Sequence, residues 1–186
     1  ERQVTSNRIL LRKALSEVTD SFHIYVVDNA QTVTRPADWG DNIVLISQRN
    51  VGGAGGFGRG IYESLRNDSV SHIVMLDDDA DVDQYSIHRM MNLFKILGDK
   101  DTFVGGMQLD VYTPTMMADA GASWIPDRYE KPLGRLPPTD MSTPAAKDAM
   151  MQAHHTNFNG WWLFGGNVKS FRKFGMPLPC FVHLDD

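Results

Sequence analysis

The stretch 73–79, with the sequence IVMLDDD, runs directly from four apolar residues into three aspartates. A short apolar run bounded by polar residues predicts a buried strand. Three adjacent carboxylates after such a strand repel one another and are partly desolvated, which is unfavourable unless a positive group lies close by. Because side chains alternate between faces along an extended chain, we expect Asp77 and Asp79 to point one way and Asp78 the other.

A divalent cation is one of two interpretations of this acidic run. Two oxygen donors on one side suit Mg²⁺ or Mn²⁺, with water and a ligand's phosphates completing the coordination. Aspartate runs also occur in solvated loops and at helix N-termini, so the run alone leaves both interpretations open. A calcium EF-hand would need glycine and glutamate at the sixth and twelfth loop positions, and the chain has Val82 and His88 there.

Composition limits the class of protein. The chain has 186 residues, of which 42% are hydrophobic and 22% charged, a balance that allows one domain with a real core. The net charge of −5 favours neither nucleic acid nor an anionic membrane surface as a partner. No apolar stretch approaches the ~20 residues needed to span a bilayer. The single Cys180 excludes an intrachain disulfide and a cysteine-rich zinc site.

Apolar runs and helical periodicities alternate along the chain, which predicts an α/β fold with a largely parallel sheet. The predicted strands are 22–27, 43–46, 72–76, 103–107, a segment near 116–125, and 161–164. The predicted helices are 7–18, one that follows a glycine-rich loop at 50–58 and ends near 66, 84–97, a short one near 145–153, and 167–174. The proline-rich stretch 126–144 is predicted to be a long loop.

Polar residues follow three of the predicted strands. Asp28, the loop that starts at Asn50, and the aspartates 77–79 each come directly after a strand. In open α/β sheets, ligands bind in the crevice beyond the carboxyl ends of the strands. We therefore expect these three segments to line one site.

The glycine-rich loop 50–58, with the sequence NVGGAGGFG, contains Gly52, Gly53, Gly55 and Gly56. Glycines let backbone N–H groups approach a ligand, and the N-terminus of the following helix favours a diphosphate. The spacing also matches a dinucleotide fingerprint, but the match is weak because a triple aspartate replaces the single ribose-binding carboxylate. A P-loop is excluded because its Gly-Lys-Ser/Thr is missing. The alternative is a flexible loop that only lets helix and sheet pack closely.

Two clusters near the end of the chain carry further candidate residues. Trp161 and Trp162 follow a glycine, and indole faces pack against sugars while the indole N–H bonds hydroxyls. The alternative is that both tryptophans belong to the core. Asp185 and Asp186 form a carboxylate pair that could supply a general base.

Four of these motifs, in this order, resemble those of bacterial galactofuranosyltransferases, which are inverting family 2 glycosyltransferases. The motifs are NVGGAGGF at 50–57, MLDDD at 75–79, NGWW at 159–162, and PLP-x-F followed by DD within 177–186. The aspartate run alone resembles any GT-A enzyme. The glycine loop together with NGWW is more specific and points to the galactofuranosyl branch.

The resemblance implies a GT-A fold, a UDP-sugar donor, a glycan acceptor and a divalent metal, Mn²⁺ or Mg²⁺. It implies cell-envelope polysaccharide synthesis in the cytoplasm or at the inner face of the cell membrane, with peripheral membrane association of the parent protein. The residues that it implies are Asp77 and Asp79 for the metal; Asp28, Asn50, Gly52, Gly53, Gly55, Gly56 and Asp78 for the donor; Trp161, Trp162 and Asp185 for donor sugar and acceptor; and Asp186 as catalytic base.

The sequence also departs from the family. The opening strand that contacts uridine is missing or only begins here, and a downstream metal-binding histidine lies beyond Asp186. We expect an excised fragment of one catalytic domain, with the nucleotide-sugar part at about 1–110 and the acceptor side at about 111–186, which could be inactive by itself. A rhamnosyltransferase of the same family, a non-catalytic nucleotide-binding module and, less favoured, a nicotinamide oxidoreductase remain alternatives.

Overall fold

The computed structural model describes residues 11–17, 21–125, 133–151 and 154–178, which form two compact units. The first unit combines the chain up to Val104 with the chain from Gly165 onward, and the second unit is Gly105–Phe164. The chain therefore leaves the first unit and later returns to it. The expected single domain with a division near residue 110 stays a prediction.

The elements in chain order are α1 (residues 11–16), β1 (Ile24–Asp28), β2 (Ile43–Ser47), α2 (Gly52–Leu65), β3 (His72–Leu76), α3 (Gln84–Leu97), β4 (Phe103–Gly105), β5 (Gln108–Leu109), β6 (Met116–Asp119), β7 (Ala122–Trp124), β8 (Leu133–Arg135), β9 (Thr139–Asp140), α4 (Pro144–Met150), β10 (Leu163–Asn167) and α5 (Val168–Phe174). In the first half of the chain, helices lie between the strands except between β1 and β2.

The α/β class is confirmed, but the described strands do not form the one largely parallel sheet that was expected. The described strands form four small sheets, with the orders β1-β2, β3-β10-β4, β5-β6-β9 and β7-β8. β1 and β2 pair in parallel, whereas β5-β6, β6-β9 and β7-β8 pair antiparallel. The GT-A type of α/β fold stays a prediction.

The glycine-rich loop predicted at 50–58 is wrong from Gly52 onward, because these glycines belong to α2. Six of the 14 residues of α2 are glycine, and each costs about 1 kcal/mol in a helix interior relative to alanine. Tertiary packing offsets this cost because α2 contacts β1, β3 and α5. The helix starts at Gly52, whose φ of 77° lies in the left-handed region that glycine adopts easily.

β3 and α3 have the predicted bounds. Ile73 and Met75 are buried, as expected for a buried strand. The helix has an N-cap in Asp83, whose carboxylate accepts hydrogen bonds from the backbone N–H of Tyr85 and Ser86 at 2.7 and 3.1 Å. Burial tends to raise the pKa of Asp83, but the hydrogen bonds from Ser86 and Tyr85 outweigh it and the pKa is lowered.

The second unit contains the short antiparallel strands and α4. The predicted strand near 116–125 is two strands, β6 and β7, because the chain turns at Gly121, whose φ is 84°. The predicted loop 126–144 contains β8 and β9, and its residues 126–132 lie outside the described part of the chain. The strand predicted at 161–164 starts later, at Leu163, and continues to Asn167.

Each unit has its own core. Buried side chains of the first unit include Ile43, Ile61, Ile73, Ile87, Phe94 and Phe171. In the second unit, Met117 and Ala122 are almost fully buried. Among the residues that the structure describes, no helix has the length and apolar character needed to cross a membrane.

Candidate functional site

A cavity of about 730 Å³ lies within the first unit, lined along its length by β1 and β3. Residues from the carboxyl ends of these strands and from the start of α2 line it together: Asp28, Asn29, Gly53, Gly56, Asp77 and Asp78. The structure thus brings together residues of all three segments that were expected to share a site. Asn50, Gly52, Gly55 and Asp79 do not line the cavity itself.

Asp28 is buried at the end of β1 and holds the following loop. Its two carboxylate oxygens accept hydrogen bonds from the backbone N–H of Ala30 at 3.0 Å and of Val33 at 2.8 Å. Both oxygens are therefore engaged with the chain's own backbone. This shapes the loop at the edge of the cavity, and a donor contact by Asp28 stays a prediction.

Asn29 and Gln48, which the sequence did not single out, connect the ends of β1 and β2 to α2. The Asn29 amide donates to the Gly52 carbonyl at 2.9 Å and accepts from the Gln48 amide at 2.7 Å. Gln48 also donates to the Gly55 carbonyl at 3.4 Å. The sequence offers one signal for this network: Asn29 and Gln48 each come directly after a strand, where binding loops begin. Its effect is to fix the first turn of α2 against the sheet.

The first turn of α2 carries backbone N–H groups at the cavity. No side-chain hydrogen bond caps the helix at Val51, and the Asn50 side chain instead accepts from the Gly52 N–H at 3.0 Å. A Cβ at Gly55 would lie 2.4 Å from a Val51 methyl, and a Cβ at Gly56 would lie 3.0 Å from the Asn29 amide. The packing at Gly55 disfavours any larger residue and that at Gly56 is tight, and the helix N-terminus contributes partial positive charge.

The three aspartates form one cluster, so the expected alternation of their side chains is wrong. The chain turns after β3, and the Ala80 N–H donates to the Asp77 carbonyl at 3.4 Å. One carboxylate oxygen from each of Asp77, Asp78 and Asp79 lies within 4.8 Å of the others. Asp77 is half-buried, whereas the other two are exposed, so the expected desolvation applies only to Asp77. Three oxygen donors at this separation are compatible with a hard divalent cation.

Trp161 and Trp162 lie in the second unit, just before β10, and both are half-buried. The Trp162 indole N–H donates to the Gly106 carbonyl at 2.7 Å. Its ring packs over Gly160, where a Cβ would lie only 1.9 Å from a ring carbon. The glycine of NGWW is therefore required by the indole that follows it. A sugar contact by either tryptophan stays a prediction.

Asp185 and Asp186 lie outside the described residues. The roles expected for them in acceptor binding and base catalysis stay predictions.

Comparison with known proteins agrees with the motifs. The chain is 28% identical over 159 residues to the galactofuranosyltransferase GlfT2 of Mycolicibacterium smegmatis, a match that covers 79% of the chain. It is 25% identical over 181 residues to GlfT2 of Mycobacterium tuberculosis, which covers 91% of the chain.

The chain is similar to bacterial galactofuranosyltransferases. The resemblance expected from the sequence is thereby confirmed. The chain spans about a quarter of the length of these curated relatives, since the matches cover 24% and 28% of them. No protein-family model matches the chain.

The first unit thus presents a carboxylate cluster and the N-terminus of a helix at one cavity. These two features have opposite charge. A ligand that suits both carries anionic oxygens for the helix and binds through a cation to the carboxylates.

Proposed function

We propose that the chain is part of a glycosyltransferase that moves galactofuranose from UDP-galactofuranose to a glycan hydroxyl with inversion. The observation that carries the proposal is the shared cavity of Asp77, Asp78 and the first turn of α2. The similarity to galactofuranosyltransferases over most of the chain supports the sugar. The proposed fold of the intact domain is of the GT-A type.

The chain's own residues bind the donor in this proposal. The backbone N–H groups of Gly53 and its neighbours in α2 bind the diphosphate, aided by the helix dipole. Asn29 and Gln48 hold that turn in place, since they bond its carbonyl groups. Asp28 orders the loop after β1, next to which the uracil or its ribose would bind.

Asp77 and Asp79 would hold the divalent cation, Mn²⁺ or Mg²⁺, with Asp78 next to the donor. The residues fit such a cation because their oxygens lie within 4.8 Å of one another and carboxylates are hard ligands. When bound, such a cation would neutralise the negative charge that develops on the departing diphosphate.

Transfer would take place in a single displacement. The oxygen of the acceptor hydroxyl forms a bond to the anomeric carbon while the bond from that carbon to the diphosphate oxygen breaks. Asp186 takes the hydroxyl proton as general base, and UDP leaves. Trp161 and Trp162 would contact the donor sugar and the acceptor, with Asp185 on the acceptor side.

Calorimetric titration of the chain with UDP, with and without Mn²⁺, tests the donor site. Asp79→Asn should weaken Mn²⁺-dependent UDP binding at least ~10-fold, because it removes one charged ligand of the cation. Asp79 is exposed, so this change should leave the fold intact. Asp81→Asn is the matched control, since Asp81 is an exposed aspartate outside the cluster. Binding that is equally tight without metal, and unchanged in Asp79→Asn, would instead favour a metal-independent nucleotide-binding module.

The intact parent protein tests the chemistry. Asp186→Asn should abolish transfer while UDP binding remains, and normal turnover by this variant would refute its role as base. Competition between UDP-galactofuranose and a rhamnose donor separates the galactofuranosyl function from the rhamnosyl alternative. The anomeric configuration of the product, read by NMR, tests inversion.

A further inference from the structure

The second unit contains a buried carboxylate that the proposed reaction does not use. Asp119, the last residue of β6, is only 8% exposed. One of its oxygens accepts a hydrogen bond from the Gly121 N–H at 2.8 Å, and the other forms an ion pair with the Arg135 guanidinium. A carboxylate taken out of water is unfavourable unless it is paired and hydrogen-bonded. Asp119 meets this requirement with both of its oxygens.

The ion pair connects two sheets of the second unit. Asp119 lies opposite Gln108 of β5, in the sheet β5-β6-β9. Arg135 belongs to β8 and lies opposite Ala122 of β7, in the sheet β7-β8. Removing one partner of such a pair leaves the other charge without its counterpart. The pair is thus placed to hold the two sheets in one arrangement.

The turn between these sheets contacts the segment that precedes the two tryptophans. A Cβ at Gly121 would lie 3.1 Å from both the Phe158 carbonyl oxygen and the Asn159 side-chain oxygen. The next residue, Ala122, donates its N–H to the Phe158 carbonyl at 2.8 Å and accepts from the Phe158 N–H at 3.1 Å. The hydrogen bond from Gly121 to Asp119 therefore fixes a turn that lies directly against residues 158–159.

Arg135 contacts the same segment from its other side chain partner. Its guanidinium carbon lies over the Phe158 ring, 5.7 Å from the ring centroid. A cation over an aromatic face is attracted by the ring's quadrupole. Phe158 is therefore held twice, by its backbone from β7 and by its ring from the guanidinium that Asp119 binds.

The segment held in this way leads directly into NGWW. The Asn159 amide donates to the Gly160 carbonyl at 2.5 Å, and the Trp162 ring packs over Gly160. The Trp162 indole N–H is bonded to the Gly106 carbonyl. A displacement of Phe158 would therefore reach the indoles through two residues of closely packed chain.

We propose that Asp119 and Arg135 are positioning residues, whose ion pair holds residues 158–160 so that the indoles of Trp161 and Trp162 keep the orientation that binds the sugar. This role rests on the proposed function, in which both tryptophans contact donor sugar and acceptor. Neither partner of the ion pair touches the substrate. Loss of the pair should therefore weaken recognition of the sugar and leave the affinity for the nucleotide unchanged.

Exchange of the indole N–H groups with solvent, measured by NMR on the 186-residue chain, tests the positioning. Asp119→Asn and Arg135→Met should speed exchange at Trp162 at least ~10-fold, because its bond to Gly106 is no longer held. The indole of Trp39, in the first unit, is the internal reference and should be unchanged.

Three further variants serve as controls. Asp148→Asn and Lys147→Met remove exposed charges on α4 of the same unit and should leave exchange at Trp162 unchanged. Arg135→Lys keeps the positive charge and should stay closer to the wild type than Arg135→Met. Should Asp119→Asn fail to fold, the comparison of these two Arg135 variants decides, since this side chain is 41% exposed.

Calorimetry on the intact parent protein with Mn²⁺ tests the role in sugar binding. In Asp119→Asn and Arg135→Met, the affinity for UDP-galactofuranose should fall at least ~10-fold, because the indoles are misplaced, while the affinity for UDP stays the same. A general loss of folding would lower both affinities alike, so the difference between the two ligands separates positioning from stability.

Four results would overturn the positioning role. They are unchanged exchange at Trp162 in both variants, equal loss of affinity for the two ligands, the same effects in the α4 controls, and equal losses in Arg135→Lys and Arg135→Met. A wild-type parent that binds neither ligand with Mn²⁺ would instead refute the proposed function, and indole exchange would then decide alone whether the ion pair positions the segment.

Discussion

Replacing Asn29 by alanine tests whether the side-chain network at the cavity fixes α2 against the sheet. The change removes the hydrogen bond to the Gly52 carbonyl and the one from the Gln48 amide. Each such bond contributes about 1 kcal/mol, and a group left without its partner in a half-buried site adds to the loss. Water reaches this site in part, and Gln48 keeps its contact with the Gly55 carbonyl. We therefore expect a loss of ~2 kcal/mol in the free energy of unfolding.

Urea unfolding followed by far-ultraviolet circular dichroism measures this loss. Gln48→Ala should cost about 1 kcal/mol, and the double variant should cost less than the two single losses together, with a coupling energy of ~1 kcal/mol. Asn29→Asp separates the two bonds, because aspartate still accepts from Gln48 but places a carboxylate against the Gly52 carbonyl. It should be no more stable than Asn29→Ala.

The functional readout is the affinity for UDP in the presence of Mn²⁺. Asn29→Ala should lower it, because the first turn of α2 is no longer held at the cavity. A loss of stability below ~0.5 kcal/mol together with additive single variants would refute the reasoning, since it would mean that the network does not hold the helix.

Three further changes test other parts of the structure. Gly160→Ala should destabilise the second unit by ~1–3 kcal/mol in thermal unfolding, because the added methyl collides with the Trp162 ring; an unchanged midpoint would contradict this packing. Asp83→Ala should cost ~0.5–2 kcal/mol and reduce the helical circular dichroism of α3, whereas Asp83→Asn, which still caps, should cost less. Burial lowers the pKa of His72 despite the nearby Asp99, so the unfolded state takes up the proton first. The free energy of unfolding should fall as the pH drops below ~6.5, and His72→Phe should reduce that dependence.

The elements that follow from sequence are those in which local signals agree. β3 and α3 have the predicted bounds because an apolar run ends at charged residues and an amphipathic stripe lies between the cap Asp83 and Gly98. Such agreement of periodicity, cap and terminal glycine leaves few alternatives for the chain.

The prediction failed where tertiary contacts overcome local preference. Glycine disfavours helices, yet Gly55 and Gly56 lie in α2, where close packing to Val51 and Asn29 leaves little room for a larger side chain. The carboxylates of 77–79 were assigned to alternate faces on the assumption that the strand continues, but the chain turns after Leu76. Strands as short as β5 and β9 have too few residues for a period to be recognised.

The candidate site was predicted in outline but not in its supporting contacts. Asp28 and the aspartates of 77–79 could be placed together because they follow parallel strands. The roles of Asn29 and Gln48 depend on contacts between residues far apart in sequence. Asn29 bonds Gly52, 23 residues away, and Gln48, 19 residues away. That information comes from the register of β1 against β2 and from the packing of α2 on β1.

The position of β10 bears on how the polypeptide folds during its synthesis. β10 lies between β3 and β4 in its sheet, yet it begins at Leu163, long after β4 ends at Gly105. During synthesis, β3 and β4 emerge before β10, and their edges stay unpaired until β10 has been made. Such a late, long-range pairing slows folding and exposes aggregation-prone edges, so chaperones that hold nascent chains should raise the yield of the native protein.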